Sequence, residues 1–156
     1  AEMALVIGKR ANNVAAADAF DYIFGYLNFV DGSARGLQPG GNTFYQMKSR
    51  ATFAPMGPWL VTADEIADVN NLPMWLTLNG EKMQDGNTSN LIFNIPHIVS
   101  YLSQFMSLLP GDIIKRDPIF ASIIFGRLFR VTWQLDRMIG ILLTEGCSKT
   151  LNIGSG

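Results

Sequence analysis

The tightest constraint on the fold is an aromatic and β-branched run, Tyr26-Leu27-Asn28-Phe29-Val30, that stops at Asp31-Gly32. Such residues suit a pleated, half-buried strand. The strand is expected to end there and to present the Asp31 carboxylate at its tip. Asp-Gly is also a common turn, so the residues alone leave Asp31 open between the two roles. A Gly/Pro-rich link follows, and then Lys48 and Thr52, in a segment hemmed by Phe44, Tyr45, Phe53 and the Pro55/Pro58 pair. That segment should hold its backbone stiff. A carboxylate, an ammonium and a hydroxyl on rigid, partly apolar backbone suit a place where a divalent metal and an anionic substrate meet.

The rest of the chain reads as support. Met3 to Ile7 is a buried strand closed by Gly8 and opened by Glu2, a residue that by itself would simply be solvated. Asn13 is expected to cap a short helix through Ala15, Ala16, Ala19, Phe20 and Ile23 that ends at Gly25. Trp59 to Val61 forms a third strand. Thr62-Ala63-Asp64-Glu65 has the capping-box form, so Asp64 and Glu65 read as helix-start residues and not as catalytic carboxylates. Met74–Leu78 and Glu81–Gln84 make a β-hairpin around Asn79-Gly80, with a further turn at Asp85-Gly86-Asn87. Asn94 and Pro96 open a helix with Ile95, Ile98, Val99, Leu102, Phe105 and Met106 on one face. His97 lies off that stripe with no visible partner and reads as solvated. Met47, Met56, Met83 and Met106 read as core filler. Pro110-Gly111-Asp112 is a turn into a strand begun by Ile113-Ile114.

Composition narrows the classes. The length, 156 residues, fits one domain with a real core. A formal net charge of −1 favours neither nucleic acid nor an acidic membrane surface. The single cysteine, Cys147, excludes an intrachain disulfide framework and fits a reducing compartment. The first residues have strand character and not that of a signal peptide; the start at Ala1, in mid-pattern, reads as a piece of something longer. The apolar tail from Ile119 to Leu143 carries Arg127, Arg130, Gln134, Asp136 and Arg137, which argues against a membrane-spanning helix. Arg127, Arg130, Gln134 and Arg137 share one helical face, so an appended amphipathic helix is the expectation. It would cover sheet, contact another chain, or lie on a membrane surface.

Four stretches, in order, resemble the fumarylacetoacetate hydrolase family: Glu2-Met3-Ala4-Leu5-Val6-Ile7-Gly8-Lys9, Asp31-x-Ser33-Ala34-Arg35, Lys48-Ser49-x-x-Thr52-Phe53-Ala54-Pro55-x-Gly57-Pro58, and Pro110-Gly111-Asp112-Ile113-Ile114. The resemblance covers residues 1 to about 114. It implies an α+β fold, a mixed β-sheet or β-roll of the fumarylacetoacetase C-terminal domain type with short flanking helices. Residues 1–114 would be a partial catalytic domain and 115–156 a divergent tail.

By the same resemblance Glu2 and Asp31 are metal ligands, with a further carboxylate falling just before Ala1. Lys48 would hold negative charge on a substrate oxygen with the Thr52 hydroxyl beside it. Ser33 and Arg35 are substrate-binding candidates, although Arg35 also suits a structural ion pair. The implied cofactor is Mg²⁺ or Mn²⁺, and the implied substrate a small 2-oxo or enol di-acid. The first expectation is a hydroxy-dienedioate isomerase/decarboxylase of aromatic catabolism, cytoplasmic and homodimeric, with no nucleic-acid or membrane partner. The second is an acylpyruvate or fumarylacetoacetate-type C–C hydrolase or an oxaloacetate decarboxylase. Departures from the family wording (Val30, Gly36, Ala51) suggest a subgroup. After Ile114, relatives continue with Gly-Thr-Pro, whereas this chain reads Lys115-Arg116-Asp117-Pro118. A one-base reading-frame slip would convert one into the other. A truncated, catalytically inactive remnant is the rival from a different class.

Overall fold

The computed structural model describes residues 1–34, 44–116 and 121–124. Its strands are β1 (Glu2–Ile7), β2 (Ile23–Phe29), β3 (Met56–Thr62), β4 (Pro73–Leu78), β5 (Glu81–Asn87), β6 (Ile113–Arg116) and β7 (Ala121–Ile124). Two α-helices, α1 (Phe44–Lys48) and α2 (Ile95–Phe105), and short 3-10 turns complete it. The large sheet runs β3-β2-β1-β6-β7 and the β4–β5 hairpin stands apart. The α+β class holds. Among the described residues every pairing is antiparallel, where a mixed sheet or roll was the expectation.

β1 is central, and all six of its residues are buried. A strand covered on both faces needs no polar alternation, which accounts for the unbroken Met3-to-Ile7 run. Its two-residue period still sorts side chains by face. Met3, Leu5 and Ile7 join Ile95, Ile98 and Val99 of α2, with Leu108 and Ile114, in the larger core. At about 2 kcal/mol for each fully buried aliphatic side chain, this contact is what seats the helix. Ala4 and Val6 pack on the other face with Leu27 and Phe29. Glu2 shares their phase and pairs with Phe29. Lys115, paired with Ala4, falls on that face too. A slip of one residue in β6 would send Lys115 into the apolar core instead.

Several local expectations are corrected. The helix expected from Asn13 is a 3-10 turn, Ala16–Tyr22, preceded by Ala15, and Asn13 itself has φ +50°. β2 begins at Ile23 and runs through Gly25, which was expected to end the preceding helix. A Cβ at Gly25 would stand 2.2 Å from the Val61 carbonyl oxygen, so glycine is required where β3 crosses close. The Thr62 hydroxyl donates to the Glu65 carboxylate (3.2 Å), and the Thr62 side chain makes no cap bond to a backbone amide. Asp85-Gly86-Asn87 continues β5 opposite Pro73–Trp75 and is no turn.

The Asn79-Gly80 turn is as expected, with both residues at positive φ, +53° and +86°. Asn94 caps α2 by accepting from the His97 amide at 2.9 Å. On α2, Phe105 is exposed and Ser103 takes a buried place on the inner face. His97 is exposed, stacked between Phe93 and Tyr101. Met47 is buried and Met56 and Met106 pack on the cores, but Met83 is 57% exposed on the hairpin. In the tail, residues 121–124 are a strand and not part of a helix. The rest of the expected amphipathic helix lies outside the described residues.

Candidate active site at the end of the central strands

Four charged side chains meet on the face of the sheet opposite α2. Glu2 opens β1, Asp31 follows β2 by two residues, Lys48 ends α1, and Lys115 is the third residue of β6. Backbone bonds set the loop that carries Asp31. The Val30 amide donates to the Pro55 carbonyl (3.0 Å), and the Ala34 amide to that of Met47 (2.9 Å). The second bond ties α1 to the Asp31 loop, and buried Met47 anchors the helix so that the next residue, Lys48, reaches the carboxylate. Gly32 lies against the Phe53 ring, where a Cβ would come to 3.2 Å. The Gln84 side chain donates to the Ala1 carbonyl at 2.8 Å and pins the β4–β5 hairpin to the start of β1.

Asp31 Oδ2 is the hub. It accepts from Lys48 Nζ at 2.6 Å and also from Lys115 Nζ. Lys115 Nζ lies 3.5 Å from Glu2 Oε2 as well. Its ammonium stands 5.8 Å from the centre of the Phe29 ring, within cation–π range. Side-chain exposure separates the groups: 9% for Glu2 and Lys115 and 11% for Asp31, against 29% for Lys48. Lys48 is therefore the one that can turn toward solvent-borne anions. Burial pushes the Asp31 carboxyl up. The hydrogen bonds from Lys115 and Lys48, with their positive charge, outweigh it and hold the carboxyl below its usual value.

The sequence candidates fare unequally. Glu2, Asp31 and Lys48 come together. Ser33 is next to them, but its hydroxyl lies 3.5 Å from the Asp31 carbonyl, at the limit of a hydrogen bond. Thr52 is exposed in the turn before β3, at φ +68°, and makes none of the contacts that join the four charged groups. Arg35 lies outside the described residues. Lys115 was missed, having been assigned to the divergent tail. Strand alternation offered a signal: in Ile113-Ile114-Lys115, a buried Ile114 places Lys115 on the opposite face. A cavity of about 380 Å³ bordered by Tyr26, Asp68 and Val69 includes none of the four charged groups.

Do these residues fit a divalent cation? The donors are hard carboxylate oxygens of the right kind. The place that both of them address, however, holds the Lys115 ammonium. No group of three His, Cys, Asp or Glu side chains that could hold a metal occurs among the described residues. As arranged, the site does not fit a bound ion.

An open antiparallel sheet with a compact acid–amine cluster on one face defines the class: an α+β domain. The family model for the fumarylacetoacetate (FAA) hydrolase C-terminal region matches residues 1–115, and the chain belongs to that family. It is 43% identical over 115 residues to a 4-hydroxyphenylacetate degradation bifunctional isomerase/decarboxylase of Salmonella dublin, covering 73% of this chain and 27% of that protein. The fold matches the crystal structure of a 2-hydroxyhepta-2,4-diene-1,7-dioate isomerase from Mycobacterium marinum with a TM-score of 0.67 and 39% identity. That match covers 73% of this chain and 44% of the other. A maleylpyruvate hydrolase from Sphingobium sp. SYK-6, solved in complex with manganese(II) and pyruvate, matches with a TM-score of 0.64 and 30% identity, covering 79% and 51%. The chain spans about 40% of the length of the first curated relatives it matches. Among the described residues no helix is long and apolar enough to cross a membrane.

Proposed function

We propose that this chain carries part of an enzyme acting on small 2-oxo or enol di-acids, in the isomerase/decarboxylase branch of the family. The observation that carries the reading is the convergence of Glu2, Asp31 and Lys48, which come from three separate elements. Lys48 is the catalytic candidate. Its ammonium is the more exposed of Asp31's two partners and can hold negative charge as it develops on a substrate oxygen, the role in which a preorganised cation contributes most. Ser33 and Arg35 are the candidates for binding substrate carboxylates, and Thr52 for the hydroxyl beside Lys48. The family reading implies a divalent cation, Mg²⁺ or Mn²⁺, for Glu2 and Asp31, at a place that the Lys115 ammonium fills in this structure. Such an ion supplies Lewis acidity when bound. A cytoplasmic homodimer goes with the same reading.

The test is turnover of 2-hydroxyhepta-2,4-diene-1,7-dioate or oxaloacetate, followed by ultraviolet absorbance with millimolar Mg²⁺ or Mn²⁺. Turnover above the free-metal background should fall by about a hundredfold or more in Lys48→Met. Equal rates for the two proteins would end the catalytic assignment. A second reading, an inactive remnant, is favoured by one observation: an amine occupies the place between the carboxylates. A folded chain without turnover on either acid supports it.

A further inference from the structure

We propose that Lys115 is a built-in counter-cation that fills the cation position between Glu2 and Asp31, so that the cluster is electrically complete without an ion and a divalent metal binds only by displacing it. This stands on the geometry and does not depend on the catalytic reading. Three features support it. Lys115 is no wandering surface lysine: β6 is paired residue by residue with β1, Ala4 faces Lys115, and the side chain is 9% exposed. Its amine hydrogen-bonds to Asp31 and lies 3.5 Å from Glu2 Oε2, within ion-pair range of both carboxylates that would hold a metal. Finally, Glu2, Asp31, Lys48 and Lys115 sum to zero charge, so an incoming dication meets no net negative group. Exchanging Lys115 for a neutral side chain leaves the cluster at −1. Because Mg²⁺ sits at about 2.0–2.1 Å from its oxygens, an ion held between Glu2 Oε2 and Asp31 Oδ2 would stand where the ammonium stands. The Lys115 stem would first have to leave Phe29 and its buried place.

The experiment measures Mn²⁺ binding by electron paramagnetic resonance, and thermal unfolding with Mn²⁺ or EDTA. It uses the 156-residue chain, Lys115→Met, and Lys115→Met/Asp31→Asn. Lys115→Met should bind Mn²⁺ about ten- to a hundredfold more tightly than the parent, the equivalent of one charge-assisted hydrogen bond no longer displaced. Its melting temperature should rise with Mn²⁺ while that of the parent does not. Adding Asp31→Asn should abolish the gained binding. In EDTA, the double variant should be more stable than Lys115→Met, because Asp31→Asn removes the excess negative charge that Lys48 alone leaves uncompensated in the cluster. This last comparison holds even if Lys115→Met fails to fold without metal. Parent and Lys115→Met affinities within threefold of each other would overturn the proposal. So would gained binding that survives Asp31→Asn, or a double variant no more stable than the single. Absence of turnover leaves all three readouts unchanged, so failure of the catalytic reading is told apart from failure of this one.

Discussion

Neutralising Asp31 should cost far more stability than neutralising an acid in a surface pair of similar geometry. In Asp31→Asn, the one carboxylate still facing Lys115 in this cluster is Glu2, at 3.5 Å. At the effective dielectric suited to proteins, a unit-charge pair at about 4 Å is worth about 4 kcal/mol. This sets the gross loss on the Lys115 side. Lys48 is 29% exposed, so water replaces much of what it loses, and its share is about 1 kcal/mol. Against these stands the relieved desolvation of the carboxylate, about 2 kcal/mol after the amide retains one acceptor. The net is about 3 kcal/mol, the lower end of what breaking a buried pair costs.

Urea unfolding followed by tryptophan fluorescence measures it. With a slope of about 2 kcal/mol per molar, the midpoint should fall by about 1.5 M. The control is Asp85→Asn. That residue pairs with Lys82 at 2.8 Å, nearly the Lys48–Asp31 distance, but the side chains are 66% and 55% exposed. Its loss should stay below about 0.5 kcal/mol. If the two variants shift the midpoint equally, burial is not what gives the cluster its weight, and the reasoning from exposure fails.

Three further outcomes are expected. Burial raises Tyr26 to about 12 from an ordinary 10.0, so stability is full below pH 10 and declines as pH climbs toward 12, by no more than about 3 kcal/mol; Tyr26→Phe should flatten that alkaline limb in urea titrations, and an unaltered limb refutes it. Gly25→Ala should destabilise by at least about 3 kcal/mol, since its Cβ meets backbone and not a movable side chain; a melting temperature within two degrees or so of the parent would contradict this. Buried Thr88 accepts from the Leu72 amide (2.8 Å) and donates to the Val69 carbonyl (2.9 Å), so Thr88→Val orphans both groups and should lower stability by about 2–4 kcal/mol; calorimetry showing less than about 0.5 kcal/mol would mean that water satisfies them.

What could be read in the sequence was what local chemistry dictates. β1 was legible because five apolar residues in a row have few other uses, and the hairpin because Asn79-Gly80 suits two positive φ angles. Glu2 and Asp31 became legible as a pair only through the family wording, since nothing local joins residues 29 apart. The misreadings share a cause. Gly25 and Gly86 looked like breaks, yet one is demanded by close approach of β3 and the other sits in an open strand position. Both depend on a neighbouring strand that a single segment does not reveal. Lys115 was hidden in the same way: its meaning arises from pairing with Ala4, more than a hundred residues earlier.

That pairing also explains why core and charged cluster coexist within one thin sheet. In β1, odd positions hold α2 and even positions hold Glu2, Ala4 and Val6. β6 repeats the division, with Ile114 on the helix side and Lys115 on the other. The apolar face can therefore be strengthened or weakened without touching the cluster, provided that register is kept. Register in β6 rests on three β1 pairs and on β7, which pairs with it from Ile113 to Arg116. β7 belongs to the stretch where the family wording has ended, yet it fixes the strand that presents the amine. A segment without recognisable family residues thus joins β1 in setting, through strand register, which charge faces Asp31.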